Sequence, residues 1–191
     1  MAKTEVRSNY VPPSSGYLPS STPPCEAPGG YHWVHAYPPG EGDWEQQLVG
    51  KWLIRVRCRY VAYCWSCVRT ATEEGSLGIG AKVATDYGSA NDPSGPWKDH
   101  VICVYTADYR DRKDVTRVAA RLAEVDAIRT QTIYYKPDVL TLAGYYSGNA
   151  PGRIAIYSCK PPYKEVIPDQ RNLAGLRAVT KTVRGRNNPD S

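Results

Sequence analysis

The sequence contains no phenylalanine, one methionine and three histidines among its 191 residues. It also lacks any apolar run long enough to cross a bilayer as a helix, and no signal-peptide-like stretch follows Met1. The expected setting is therefore the cytoplasm, with nuclear or organellar compartments as alternatives and no membrane partner. There is no phosphate-cradling Walker loop, no Gly-x-Ser-x-Gly elbow and no His-Glu-x-x-His, which removes the P-loop, α/β-hydrolase and zincin chemistries those motifs serve. Six cysteines are present, but the one Cys-x-x-Cys, Cys64-Trp65-Ser66-Cys67, has no second pair to complete a zinc set. It also falls within a helical pattern, without the strand-to-helix turn of a thioredoxin-like motif. Cys58, Cys103 and Cys159 lie in strand-like apolar runs, where a free thiol packs as a small hydrophobe. The cysteines read as reduced and structural, and neither a metal nor a cofactor is expected.

What is present is tyrosine and tryptophan: fifteen Tyr and five Trp. Both carry a polar handle, so they suit half-buried surfaces and stacking sites as well as cores. Lys and Arg exceed Asp and Glu by 24 to 19, a net charge of +5. That excess attracts polyanions weakly and falls short of a dedicated nucleic-acid-binding signature.

Composition divides the chain into three parts. Residues 1–30 are rich in Pro, Ser and Gly, too poor in apolar side chains to offset their ordering entropy, and read as a flexible leader. Residues 31–160 carry the periodic patterns of a folded domain. Residues 161–191 read as a polar, basic tail, with a weak helix around 172–180.

Within the domain, Tyr31–Tyr37 reads as a short extended segment and Lys51–Arg57 as a strand. Val61, Trp65, Val68 and Thr72 recur at helical spacing between Tyr60 and Glu74, and Gly75 is placed to stop that helix. Ile79–Thr85 reads as a strand, Asp86–Asp99 as a loop and His100–Thr106 as a buried central strand. Asp111 is an N-cap for a second helix, with an apolar stripe of Val115, Val118, Ala119, Leu122 and Val125. Thr132–Lys136 and Arg153–Ser158 supply two more strands. Two helices on one mostly antiparallel sheet, with one face more open, is the economical packing: an α+β fold.

Polar residues interrupt these strands. Alternation sets Lys82 opposite Ala81 and Val83; if that is the open face, Lys82, Lys136 and Arg153 form a cationic floor for a phosphate or carboxylate. Solvated, scattered cations are the plainer alternative. Trp52 and Trp65 read as core, whereas Trp33 and Trp97, in or beside loops, are placed to stack on a base.

Gly50-Lys51-Trp52-Leu53-Ile54, Leu77-Gly78-Ile79-Gly80-Ala81-Lys82-Val83, His100-Val101-Ile102-Cys103-Val104-Tyr105-Thr106 and Tyr135-Lys136-Pro137-Asp138, in that order, resemble the basophilic-leukaemia-expressed protein family. Asp111-x-x-Asp114-Val115-x-Arg117-Val118 also fits. This is a eukaryotic group defined as a domain of unknown function. The resemblance implies a fold like that of the cap-binding translation initiation factor, a curved antiparallel sheet with helices on its convex side. After Asp138 the family pattern has an aromatic, where this chain has Val139-Leu140. Some members are labelled phosphothreonine lyases. On that reading Lys82 and His100 are the acid–base candidates, and Lys136 and Arg153 hold phosphate.

The leading expectation is a binding domain for RNA or a nucleotide or phosphate ligand, with Trp33, Trp97, Lys136, Asp138 and Arg153 as ligand-binding residues. A lyase with Lys82 and His100 catalytic is the first alternative. The second is a structural subunit that engages a protein complex through its flexible termini.

Overall fold

A computed structural model of the chain describes residues 18–40, 42–92, 98–146, 154–174 and 176. Seven strands among them form one sheet in the order β1-β3-β4-β2-β5-β6-β7, with every neighbouring pair antiparallel. The strands are β1 (Trp33–Ala36), β2 (Gly50–Arg57), β3 (Gly80–Ala84), β4 (Asp99–Thr106), β5 (Ile133–Pro137), β6 (Tyr157–Cys159) and β7 (Ile167–Pro168). Two long helices, α1 (Cys58–Glu73) and α3 (Arg112–Glu124), supply the covering layer. Two five-residue helices, α2 (Asp86–Ala90) and α4 (Asp138–Leu142), follow β3 and β5.

Strand alternation sorts side chains between two faces. Val34, Trp52, Ile54, Ala81, Val83, Ile102, Val104 and Tyr135 point to the helix side and form one core with Val61, Trp65 and Val68 of α1 and Val115, Val118 and Leu122 of α3. Trp52 is fully buried and donates its indole N–H to the Val115 carbonyl at 3.0 Å, pinning α3 to the central strand. The Trp52 and Tyr135 rings meet edge to face at 5.2 Å. Tyr135 closes its own polar end with a 2.5 Å hydrogen bond to Thr106.

The helix limits have local causes. The Asp111 carboxylate accepts from the Lys113 and Asp114 amides, satisfying two donors that the first turn of α3 leaves open. Gly75 stands just past the C-cap of α1 at φ 72°, a left-handed conformation that glycine takes without a Cβ penalty.

Several expectations change. Asp86–Asp99 is not all loop: Thr85 caps α2 by accepting from the Gly88 amide at 2.9 Å. The strand expected over Arg153–Ser158 is shorter, since β6 begins only at Tyr157. Cys58 is not in a strand; it opens α1 and is exposed. Of the expected flexible leader, residues 18–30 are docked. A 3₁₀ turn at Pro24–Glu26 buries Pro24, and Trp65 donates to the Ser20 carbonyl at 2.9 Å. Of the expected polar tail, Tyr163, Val166 and Leu176 are buried in the core, while the helical turn there begins at residue 170. Sparse apolar anchors at wide spacing suffice to hold both segments, although neither shows the periodicity of a core element. No helix among the described residues is long and apolar enough to cross a membrane.

Candidate anion-binding face

The face away from α1 and α3 is built by the alternate residues of the same strands. Strand pairing sets His35 beside Lys82, Lys82 beside Cys103, Cys103 beside Leu53, and Leu53 beside Tyr134. One row further along, Tyr105 stands beside Lys51 and Lys51 beside Lys136. Trp33, two residues from His35, shares the face. Three lysines on three different strands are thereby held on one surface by register alone.

Each ammonium has a defined setting. Lys82 Nζ lies 4.1 Å from the Trp33 ring centroid and 5.8 Å from that of Tyr105. Lys51 pairs with Asp138 at 2.5 Å and lies 5.3 Å from the Tyr105 ring. Lys136 donates to the Tyr145 carbonyl at 2.6 Å and lies 5.0 Å from the Tyr146 ring. Such cation–π contacts hold a charge without neutralising it. Lys51 and Lys136 are only 6% and 3% exposed, because α4 and the residues after it fold over this end of the face.

Desolvation disfavours the charged form of each buried amine. Burial holds Lys82 below the ordinary lysine range, and nearby Lys51 adds to the effect. Lys136 is lowered to about 8 by burial first and by Lys51 second, with Asp138 and Asp92 partly opposing. Burial and then Lys82 lower His35 to about 4, so at neutral pH its imidazole is uncharged. Burial pushes the Cys103 thiol up, only partly offset by the lysines, so it supplies no counter-charge. Among the described residues the patch therefore holds three amines, with the carboxylate of Asp138 paired to Lys51 and that of Asp92 near Lys136.

Lys82, Lys136, Asp138 and Trp33 of the expected site residues are brought together here. Trp97 and Arg153 lie outside the described residues. His100 does not join them. It is an odd number of residues from Cys103, so it faces the helix side, where it is 2% exposed. Its Nδ1 lies 2.7 Å from the Ala84 carbonyl and its Nε2 3.2 Å from Asp86. Lys82 and His100 thus stand on opposite faces of the sheet and do not make one acid–base pair. Lys51 and Tyr105 went unmarked in the sequence, although the alternation Trp52-Ile54-Val56 already placed Lys51 on the face opposite the core. Val139 and Leu140, which replace the family's aromatic, are both buried in the core.

The family model described as basophilic leukemia-expressed protein Bles03 matches residues 45–144, which hold β2 through α4. Among solved structures, schistosome eIF4E complexed with m7GpppA and 4E-BP matches at 17% identity and TM-score 0.43, covering 60% of this chain and 61% of that one. C. elegans eIF4E-3 with the 4E-binding protein Mextli and a cap analog matches at 18% identity and TM-score 0.42, covering 56% and 60%. Ascaris suum eIF4E-3 with m7G cap matches at 18% identity and TM-score 0.43, covering 72% and 69%. The chain spans about three fifths of the length of the first two of these structures.

Proposed function

This chain belongs to the family of the basophilic leukemia-expressed protein Bles03, and we propose that its open sheet face binds the phosphate groups of RNA or a nucleotide. The observation that carries this reading is the placement of Lys51, Lys82 and Lys136 on one surface, with Asp138 paired to Lys51. Amines in a partly desolvated site attract an anion more strongly than the same charges in open solvent. A phosphate group relieves their mutual repulsion, which supplies a driving force beyond simple contact. The rings of Trp33, Tyr105 and Tyr146 already lie beside the amines. Tyr134 is on the same face and 44% exposed. A base is sequence-tolerantly held by such rings, at about 1–3 kcal/mol each.

Titration of the protein with GTP and with a short single-stranded RNA, at fixed salt, tests this reading. Lys82→Met is expected to weaken binding by about tenfold or more, the loss of one charge-assisted contact. Arg129→Met, on an exposed ion pair outside the face, leaves affinity unchanged. Equal affinity for Lys82→Met and the unaltered protein would remove the face from the account. Raising the pH from 7 to 9 carries Lys136 through its value of about 8. Its charge is lost in that interval, so phosphate affinity is expected to fall; a flat profile assigns binding to other cations.

A further inference from the structure

On the helix side, four side chains from separate parts of the chain converge: Cys25, Cys58, Asp86 and His100. Their sulfur, oxygen and nitrogen ligand atoms all lie within 4.8 Å of one another. Cys25 comes from the 3₁₀ turn, Cys58 is the first residue of α1, Asp86 the first of α2, and His100 belongs to β4. The two sulfurs are 3.1 Å apart, and the Cys25 sulfur is 3.6 Å from His100 Nε2.

The histidine defines what the cluster can accept. The Ala84 carbonyl, 2.7 Å from Nδ1, is only an acceptor, so Nδ1 carries the hydrogen. Nε2 is thereby left to face the Asp86 carboxylate at 3.2 Å and the Cys25 sulfur at 3.6 Å. A cation at their meeting point, a proton on Nε2 or a metal ion, makes these contacts attractive, and the two flanking sulfurs suit the metal ion. A backbone carbonyl on the far nitrogen is the usual outer support of a metal-bound histidine, fixing tautomer and ring orientation together.

We propose that Cys25, Cys58, His100 and Asp86 form a structural site for a zinc ion. Two sulfurs, one imidazole and one carboxylate match the ligand classes and the four-fold number of closed zinc sites. Ligand bonds of about 2.0–2.3 Å place neighbouring donors roughly 3.3–3.8 Å apart in a tetrahedron. The sulfur–nitrogen and nitrogen–oxygen separations are at or near that range, and the two sulfurs need to part by about half an ångström. On binding, the thiols become thiolates and release their protons to solvent. The ion would tie the N-terminal segment to the start of α1, the start of α2 and the central strand. No spacing rule finds this set, because its members meet only when residues 18–30 dock. The sequence reading of no metal rested on Cys64 and Cys67, which take no part in it.

Metal analysis and cobalt substitution of the full chain, reduced and then freed of reductant, test the proposal. One zinc per chain is expected, exchangeable for cobalt with the visible bands of tetrahedral coordination and the ultraviolet bands of thiolate ligation. Cys58→Ser and Asp86→Ala alter exposed residues; both are expected to lower metal affinity at least about tenfold, and Cys58→Ser to diminish the thiolate bands. Removing the metal lowers Tm by about 5–10 °C if the site was filled at about a hundred times its Kd. A reduced, folded chain that takes up neither zinc nor cobalt overturns the proposal. So does a Cys58→Ser protein with unaltered cobalt spectrum and affinity. A Cys25–Cys58 disulfide in the purified chain, with no metal uptake after reduction, would identify the pair as redox-active instead and also overturns it.

Discussion

Asp138→Asn is expected to destabilise the free protein by about 2–3 kcal/mol while tightening its grip on phosphate by about tenfold. The two effects have one cause. Asp138 pairs directly with Lys51 and also supports the charged forms of Lys82 and Lys136. Without it, three neighbouring amines face each other with only the more distant Asp92 to offset Lys136. Breaking one side of a buried pair commonly costs about 3–5 kcal/mol. Here the loss is smaller for two reasons: Asp138 is partly exposed, and Lys136 has a ready escape by giving up its proton. A lysine lowered in the folded state penalises folding below its folded value, and the penalty fades as pH rises toward the unfolded value. The deficit of the variant is therefore largest near pH 7 and shrinks above pH 8. Urea denaturation at the two pH values measures it, and phosphate titration measures the gain. A variant that loses stability and affinity together would mean that Asp138 shapes the site without setting its charge.

Trp52→Ala is expected to cost about 3–5 kcal/mol, a large share of the total stability of an ordinary domain. The side chain is completely buried in the central strand. Its removal leaves a cavity between the sheet and α3, takes the indole hydrogen bond from the Val115 carbonyl and removes the Tyr135 ring contact. Trp52→Phe separates these terms: it keeps most of the volume, loses the hydrogen bond, and is expected to cost about 1–2 kcal/mol. Denaturant midpoints should fall in the order unaltered, Phe, Ala with a common slope. A Trp52→Ala protein as stable as the parent would remove Trp52 as the anchor of α3.

The elements that were legible in the sequence are those with long, regular patterns. The stripe on α3 and its Asp111 cap, the helical spacing of α1, and the apolar runs of β2 and β4 all follow from periods that single residues cannot blur. Alternation alone set Lys82 opposite Ala81 and Val83, and the register then brings Lys136 onto that face. The parts that were not legible depend on tertiary contact. Five-residue helices such as α2 and α4 are shorter than two turns and show no period to detect. His100 reads as the first polar residue of a buried strand. That it faces Cys25 and Asp86, and not Lys82, follows from strand parity and from a docked N-terminal segment. Lys51 opens a strand whose pattern marks no site by itself; its place on the open face follows from alternation with Trp52, and its partner Asp138 from tertiary contact.

Phosphate ligands are expected to meet the open face of this sheet, and backbone amide shifts during titration with GTP or a short RNA show where they bind. The largest shifts are expected on 51–55, 80–84, 101–105 and 133–138, and in Lys82→Met they should need about tenfold more ligand. Shifts confined to α1 and α3, or no shifts at saturating ligand, would contradict binding at this face.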